Sequence, residues 1–210
     1  MEKAASEGGI YMNIVYHERG RVFHLFNDSV SYIFMVLPHG GLGSLYYGKA
    51  LRDREGFEHI FERVHRGMTA CVFADTRSYS LDAIRQELPT YGSSDFRRPA
   101  LNVLQENGSR ILDLQYAGYR VMDGKPKLAG LPATYAEAET EAKTLIVEVK
   151  DELTGLRAEL LYTIFAEGGA IARSVRYINE GKEVLHLQKV MSMSIDLPDT
   201  EYDWMELTGA

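Results

Sequence analysis

The chain has 210 residues, 45% of them hydrophobic and 25% charged, with a formal net charge of −7. That composition suits a folded domain with a sizeable core and excludes a disordered or collagen-like chain. The acidic balance lacks the basic face of a nucleic-acid binder, so no nucleic-acid partner is expected. Arg97-Arg98 and Lys125/Lys127 are the densest basic groupings and read as solvated loop charges.

Residues 1–11 are small and polar and read as a flexible leader, with Met12 as an alternative native start. They lack the basic start and apolar stretch of a secretory signal. No run of about 18 apolar residues occurs, so no membrane helix is expected. Cys71 is the single cysteine, in the run Ala70-Cys71-Val72-Phe73. It reads as a small packed hydrophobe, and a reducing cytoplasm is the expected compartment.

From Met12 onward the period is mostly two. Phe23 and Leu25 alternate with His24 and Phe26, and Tyr32 to Leu37 is a strand-like apolar run ending in the turn cluster Pro38-His39-Gly40-Gly41. Residues 57–78 show no clear period and read as one long loop. The spacing predicts a short helix over Leu81 to Leu88, stopped by Pro89, with Asp82 in its first turn where the helix dipole favours a negative charge.

A central hairpin is predicted next. Leu101, Val103 and Gln105 run out, Asn107-Gly108 form a type I′ turn, and Arg110, Leu112, Leu114 and Tyr116 return. Three further strands follow: Leu145 to Val149, Leu156 to Ile164, and Ile171 to Tyr177. Asn179-Glu180-Gly181-Lys182 then turns the chain into Val184 to Ile195. Strands at this spacing, with turn signals between, predict an all-β antiparallel sandwich. A (β/α)₈ barrel, which takes roughly 200–250 residues alone, does not fit beside it.

No familiar catalytic signature emerges from the residues alone. Histidines 17, 24, 39, 59, 65 and 186 form no metal-ligand spacing, so they read as surface or loop-packing residues; no metal or other cofactor is expected. Gly40-Gly41-Leu42-Gly43 opens no helix and reads as a turn. Asp75, Asp82 and Asp95 lie in the most polar region, where turn or cap roles are expected. The 13 Tyr residues offer sugar-stacking surfaces but mostly suit pleated sheets.

The stretch Ser80-Leu81-Asp82-Ala83-Ile84-Arg85-Gln86-Glu87-Leu88-Pro89-Thr90-Tyr91-Gly92-Ser93-Ser94-Asp95-Phe96-Arg97-Arg98-Pro99-Ala100 is more specific. It resembles a block in the N-terminal domain of bacterial family 36 glycoside hydrolases. Tyr47-Gly48-Lys49, Asn107-Gly108-Ser109 to Tyr116, Gly124-Lys125-Pro126-Lys127 through Leu131-Pro132-Ala133-Thr134-Tyr135, and Ser192-Met193-Ser194-Ile195-Asp196 through Tyr202-Asp203-Trp204 agree in order.

The resemblance covers residues 12–210. It implies the β-supersandwich seen in galactose-mutarotase-like proteins, incomplete at its C-terminal end. It also implies retaining α-galactosidases acting on melibiose and raffinose-type oligosaccharides, with both catalytic carboxylates in a barrel outside this chain. No catalytic residue is therefore expected here, and the chain alone is expected to be inactive. In tetrameric relatives the long loop reaches a neighbouring subunit's site with an Asp and an Arg. The Arg matches Arg77; the Asp position is occupied by His65, a departure, because imidazole does not accept sugar hydroxyls as a carboxylate does. The expected role is an accessory and oligomerisation domain, with α-galactoside oligosaccharides and further copies of the chain as partners. A free-standing carbohydrate-binding module is the alternative. A mutarotase, which needs a converging His and carboxylate such as His24 or His186 with Glu159, is a third reading.

Overall fold

The computed structural model describes residues 12–64, 72, 79–92, 95–130, 133–197, 201–203 and 205–206. The leader, Cys71, His65 and Arg77 lie outside the described residues. The architecture is the antiparallel sandwich that the period-two pattern predicts. Strands β1 (Met12–His17), β2 (Val22–Asn27), β3 (Val30–Val36) and β4 (Leu42–Lys49) form a four-stranded meander. After β5 (Leu101–Leu104) come β6 (Gln115–Asp123), β7 (Ala142–Lys150), β8 (Leu156–Phe165) and β9 (Ile171–Asn179), a second four-stranded meander. The last strand, β10 (His186–Val190), pairs with β5 in a two-stranded ribbon. Among the described residues no helix is long and apolar enough to cross a membrane.

The main core lies between the meanders. Phe23, Leu25, Phe34 and Val36 from one meet Leu145, Val147, Leu160 and Tyr162 from the other. Phe34 stacks on Tyr162 with ring centroids 4.7 Å apart, in the offset range that adds to plain area burial. A second apolar layer covers the far face of the first meander. It joins Val22, Ile33, Met35 and Leu37 to Phe57, Tyr79, Leu81 and Ile84. Strands β2 and β3 are therefore buried on both faces. This is why residues 32–37 read as a continuous apolar run rather than an alternation.

Three expectations need correcting. Only Leu81–Ala83 is helical, a single 3₁₀ turn followed by Ile84 in extended conformation. The backbone of the next residues is claimed by β4: Ser44 N–H donates to Arg85 O at 2.9 Å and Glu87 N–H to Leu42 O at 3.0 Å. Tertiary pairing overrides helix propensity there. One 3₁₀ turn has little dipole, and Asp82 instead accepts from the Ser80 hydroxyl at 2.5 Å.

The central turn is not type I′. Among the described non-glycine residues only Arg21 has positive φ, so Asn107 does not; Gly108, at φ 83, carries the left-handed position alone. Gly108 N–H donates to Gln105 O and Gln105 N–H to Ser109 O, both at 2.9 Å, giving a turn closed by a glycine bulge. The outgoing strand pairs with β10, while Leu112 N–H donates to Tyr91 O rather than to β5. Finally, residues 57–78 are not structureless throughout: Phe57–Ile60 forms a 3₁₀ turn with Phe57 buried.

Candidate functional site

Arg77 and His65, the two residues the resemblance placed at a sugar, lie outside the described residues, as do Asp75 and Trp204. Their described flank is anchored. The Tyr79 hydroxyl meets His39 Nδ1 at 2.8 Å, and Tyr79 and Leu81 are buried in the second apolar layer.

The motif block that carried the resemblance folds into two polar knots. In the first, Asp95 is buried. It accepts from Gln86 Nε2 at 2.6 Å through Oδ2, and from Arg97 N and Nε at 3.0 and 3.1 Å through Oδ1. Arg97 Nη2 then donates to Leu81 O at 2.8 Å and Ile84 O at 2.6 Å. The expected turn role of Asp95 is met, since a carboxylate accepting from its own i+2 amide is an Asx turn. Arg97 is a correction: it is the clamp that closes the segment, not a solvated charge. The guanidinium fork thus ties two carbonyls at the end of the short helix, Leu81 O being shared with the Ile84 N–H.

The second knot centres on Glu87, fully buried between the sheets. Its Oε2 accepts from Tyr32 at 2.8 Å, Tyr162 at 2.9 Å and Arg173 Nη1 at 2.7 Å, and its Oε1 from Ser44 at 2.5 Å. Arg173 also donates to Glu87 O at 3.2 Å and lies 4.2 Å over the Tyr162 ring. Tyr32 and Ser44 belong to the first meander, Tyr162 and Arg173 to the second, so this carboxylate rivets the sandwich. Burial, with the Glu87 charge adding, pushes the Tyr32 and Tyr162 hydroxyls far above the ordinary tyrosine range. They are permanent donors here, not acids.

A third cluster was missed from the sequence. His17 and His24 are buried, against their expected surface or loop placement. His24 Nδ1 lies 2.7 Å and His17 Nε2 2.9 Å from the same oxygen, Asp53 Oδ1. His24 Nε2 meets Ser31 Oγ at 2.9 Å, and Ser31 Oγ also accepts from Leu51 N–H at 2.8 Å. Burial lowers the His24 pKa, opposed by Asp53, and the two histidines hold the Asp53 carboxyl below its ordinary range against its own desolvation. Strand register held a signal: His17 pairs with Val22 and Val15 with His24, which puts both rings on one face. Asp53 arrives from beyond β4, which no local pattern announces.

The residues considered for a mutarotase do not share a site. His24 is on the first meander, His186 is exposed on β10, and Glu159 is on β8. Glu159 accepts from Arg120 at 3.2 Å and Arg157 at 2.9 Å, so its carboxylate is neutralised in a charge ladder across the outer face. Those two cations outweigh its desolvation and hold its pKa low, unlike that of a general acid.

Among the clefts of ligand size formed by the described residues, two border these polar clusters. One, of about 550 Å³, is lined by Leu51, Arg52, Asp53, Arg54, Phe57 and Ile60. The other, of about 310 Å³, lies between Lys125–Pro126, Ala133–Thr134 and the β8–β9 edge at Arg173 and Ser174.

The antiparallel sandwich has counterparts among known proteins. Residues 40–210 match the glycosyl hydrolase family 36 N-terminal domain, and the chain belongs to that family. Among relatives, it is 43% identical over 199 residues to alpha-galactosidase AgaA of Geobacillus stearothermophilus, covering 95% of this chain and 27% of that protein. The crystal structure of the family 36 alpha-galactosidase AgaB from the same organism superposes with a TM-score of 0.82 at 41% identity, covering 89% of this chain and 25% of that one. A substituted AgaA solved in complex with raffinose matches at TM-score 0.79 and 44% identity, over 84% of this chain and 24% of that one. The chain thus spans about a quarter of the length of these relatives.

Proposed function

We propose that this chain is the accessory and oligomerisation domain of a cytoplasmic α-galactosidase acting on melibiose and raffinose-type oligosaccharides, and that it carries no catalytic carboxylate itself. The observation behind the reading is the family match over residues 40–210, in relatives whose length this chain spans to only 27%. The described acids agree with a structural part. Glu87, Asp95 and Glu159 are each consumed by donors within the domain. A retaining glycosidase needs two carboxyl groups free to face a sugar bond, about 5–5.5 Å apart.

An apolar strip supports a packing role. Val184, Leu187, Val190, Met191, Met193 and Leu197, along β10 and on either side of it, are all more than 40% exposed. Contiguous exposed apolar surface marks an interaction face. In this reading residues 57–78 present Arg77, with His65 where relatives carry an Asp, at the substrate entrance of a neighbouring subunit.

The test is an assay of the purified chain on an aryl α-galactoside, beside calorimetric titration with melibiose and raffinose. Neither turnover above buffer nor heat at millimolar sugar is expected. Turnover that co-purifies with the chain overturns the accessory reading; heat without turnover supports the carbohydrate-binding alternative.

A further inference from the structure

The geometry points to a transition-metal site formed by His17, His24 and Asp53, taking a divalent ion of the zinc class. His17 Nε2, His24 Nδ1 and an Asp53 oxygen lie within 4.8 Å of one another, the grouping of two imidazoles and a carboxylate that suits zinc. The nitrogen donors favour zinc, cobalt, nickel or copper over magnesium or calcium.

The proton arrangement carries the inference further. His17 faces two carboxylates, with Nε2 2.9 Å from Asp53 Oδ1 and Nδ1 3.4 Å from Glu55 Oε1. Ionised carboxylates only accept, and a neutral imidazole has a single N–H. A neutral His17 therefore leaves one of its nitrogens pointing a lone pair at a carboxylate. An ion between the rings removes the conflict: it takes the Nε2 lone pair and the Asp53 oxygen, and leaves Nδ1–H for Glu55. The same ion takes His24 Nδ1 and leaves Nε2–H to donate to Ser31 Oγ, 2.9 Å away. Each ligating ring then donates its outer N–H to an oxygen, which is the outer shell that fixes metal-bound histidines.

Room and access are present. Tetrahedral ligands at about 2.1 Å from zinc stand about 3.4 Å apart, so Asp53, now 2.7 and 2.9 Å from the two ring nitrogens, has to withdraw by roughly half an ångström or more while the imidazoles close on the ion from a grouping up to 4.8 Å wide. Its side chain is 27% exposed and lines the cleft of about 550 Å³, which gives an entry path and a place for a water ligand. The ion would tie β1 and β2 to the segment leaving β4, the start of the chain that leads into residues 57–78.

The test uses the full 210-residue chain without an affinity tag, stripped with EDTA and titrated with Co²⁺. Saturable 1:1 visible absorption, abolished by equimolar Zn²⁺, is expected. Asp53→Asn and His17→Gln, each checked for folding by circular dichroism, should weaken binding by more than about 100-fold. That exceeds the roughly 10–100-fold typical of outer-shell changes. His186→Gln, on β10, should bind like the parent. Because a ligand variant can also unfold, zinc should raise the unfolding temperature of the parent chain as an independent readout. The inference is overturned by no saturable cobalt signal in the parent chain. A signal that Asp53→Asn and His17→Gln both retain in full overturns it equally.

Discussion

Glu87 is fully buried and accepts from four side chains, so each of its partners meets a buried carboxylate. Removing one member of such a pair strands the other, which typically costs about 3–5 kcal/mol. Glu87→Ala should lose that much in denaturant unfolding, and Glu87→Ala combined with Arg173→Met should recover most of it. A single-variant loss below about 1 kcal/mol would show that the rivet is not made. In the sequence Glu87 was visible only as a letter in a family motif. Its partners are 43 to 86 residues away, a pairing that no local period encodes.

The histidines give a second residue-scale expectation. The folded His24 pKa lies below its ordinary 6.5, so the unfolded chain takes up a proton that the folded chain refuses. Its contribution is complete above 6.5 and is lost as pH falls from there toward the folded value. His39, also lowered mainly by burial, adds in the same direction. The depressed Asp53 acts lower down, stabilising above 3.8 and losing that as pH falls through its folded value. The unfolding temperature should drop between about pH 7.5 and 5.5. A flat profile over that range would contradict the buried, neutral His24.

At the scale of elements, strands such as Leu156 to Ile164 were legible from one apolar face, whereas β2 and β3, buried on both faces, showed only as apolar runs, and the strand expected to return over Arg110 to Tyr116 starts at Gln115 instead. Turn chemistry was half legible. Asn107-Gly108 correctly marked a reversal, but the turn needs only one left-handed residue, so the expected pair of positive φ angles was wrong. The helix expected over 81–88 failed because propensity is a weak prior beside β4's unpaired edge.

Two glycines separate backbone strain from crowding. Gly108, at φ 83, has nothing within 4 Å of where a Cβ would sit, whereas at Gly155, φ 72, the backbone nitrogen of Gly181 would be 2.6 Å away. Gly108→Ala should therefore cost about 1–2 kcal/mol, the left-handed penalty alone. Gly155→Ala should cost more, since rigid backbone has to move. Equal losses in chemical denaturation would argue against the close approach of residues 155 and 181.

At the scale of the whole molecule, the sandwich and the family were legible, the first from periodicity and the second from ordered motifs. The site residues carried over from the family, Arg77 and His65, lie outside the described residues. What the structure adds is that the motif is architectural: Gln86, Glu87, Asp95 and Arg97 hold one segment against both sheets. In the proposed reading this architecture serves an α-galactosidase. The most direct measurement is the activity of a chimera in which residues 12–210 replace the matching N-terminal quarter of Geobacillus stearothermophilus AgaA. The account expects turnover of an aryl α-galactoside, with a raised KM when Arg77→Ala is introduced. A chimera that folds and assembles but shows no turnover would contradict it.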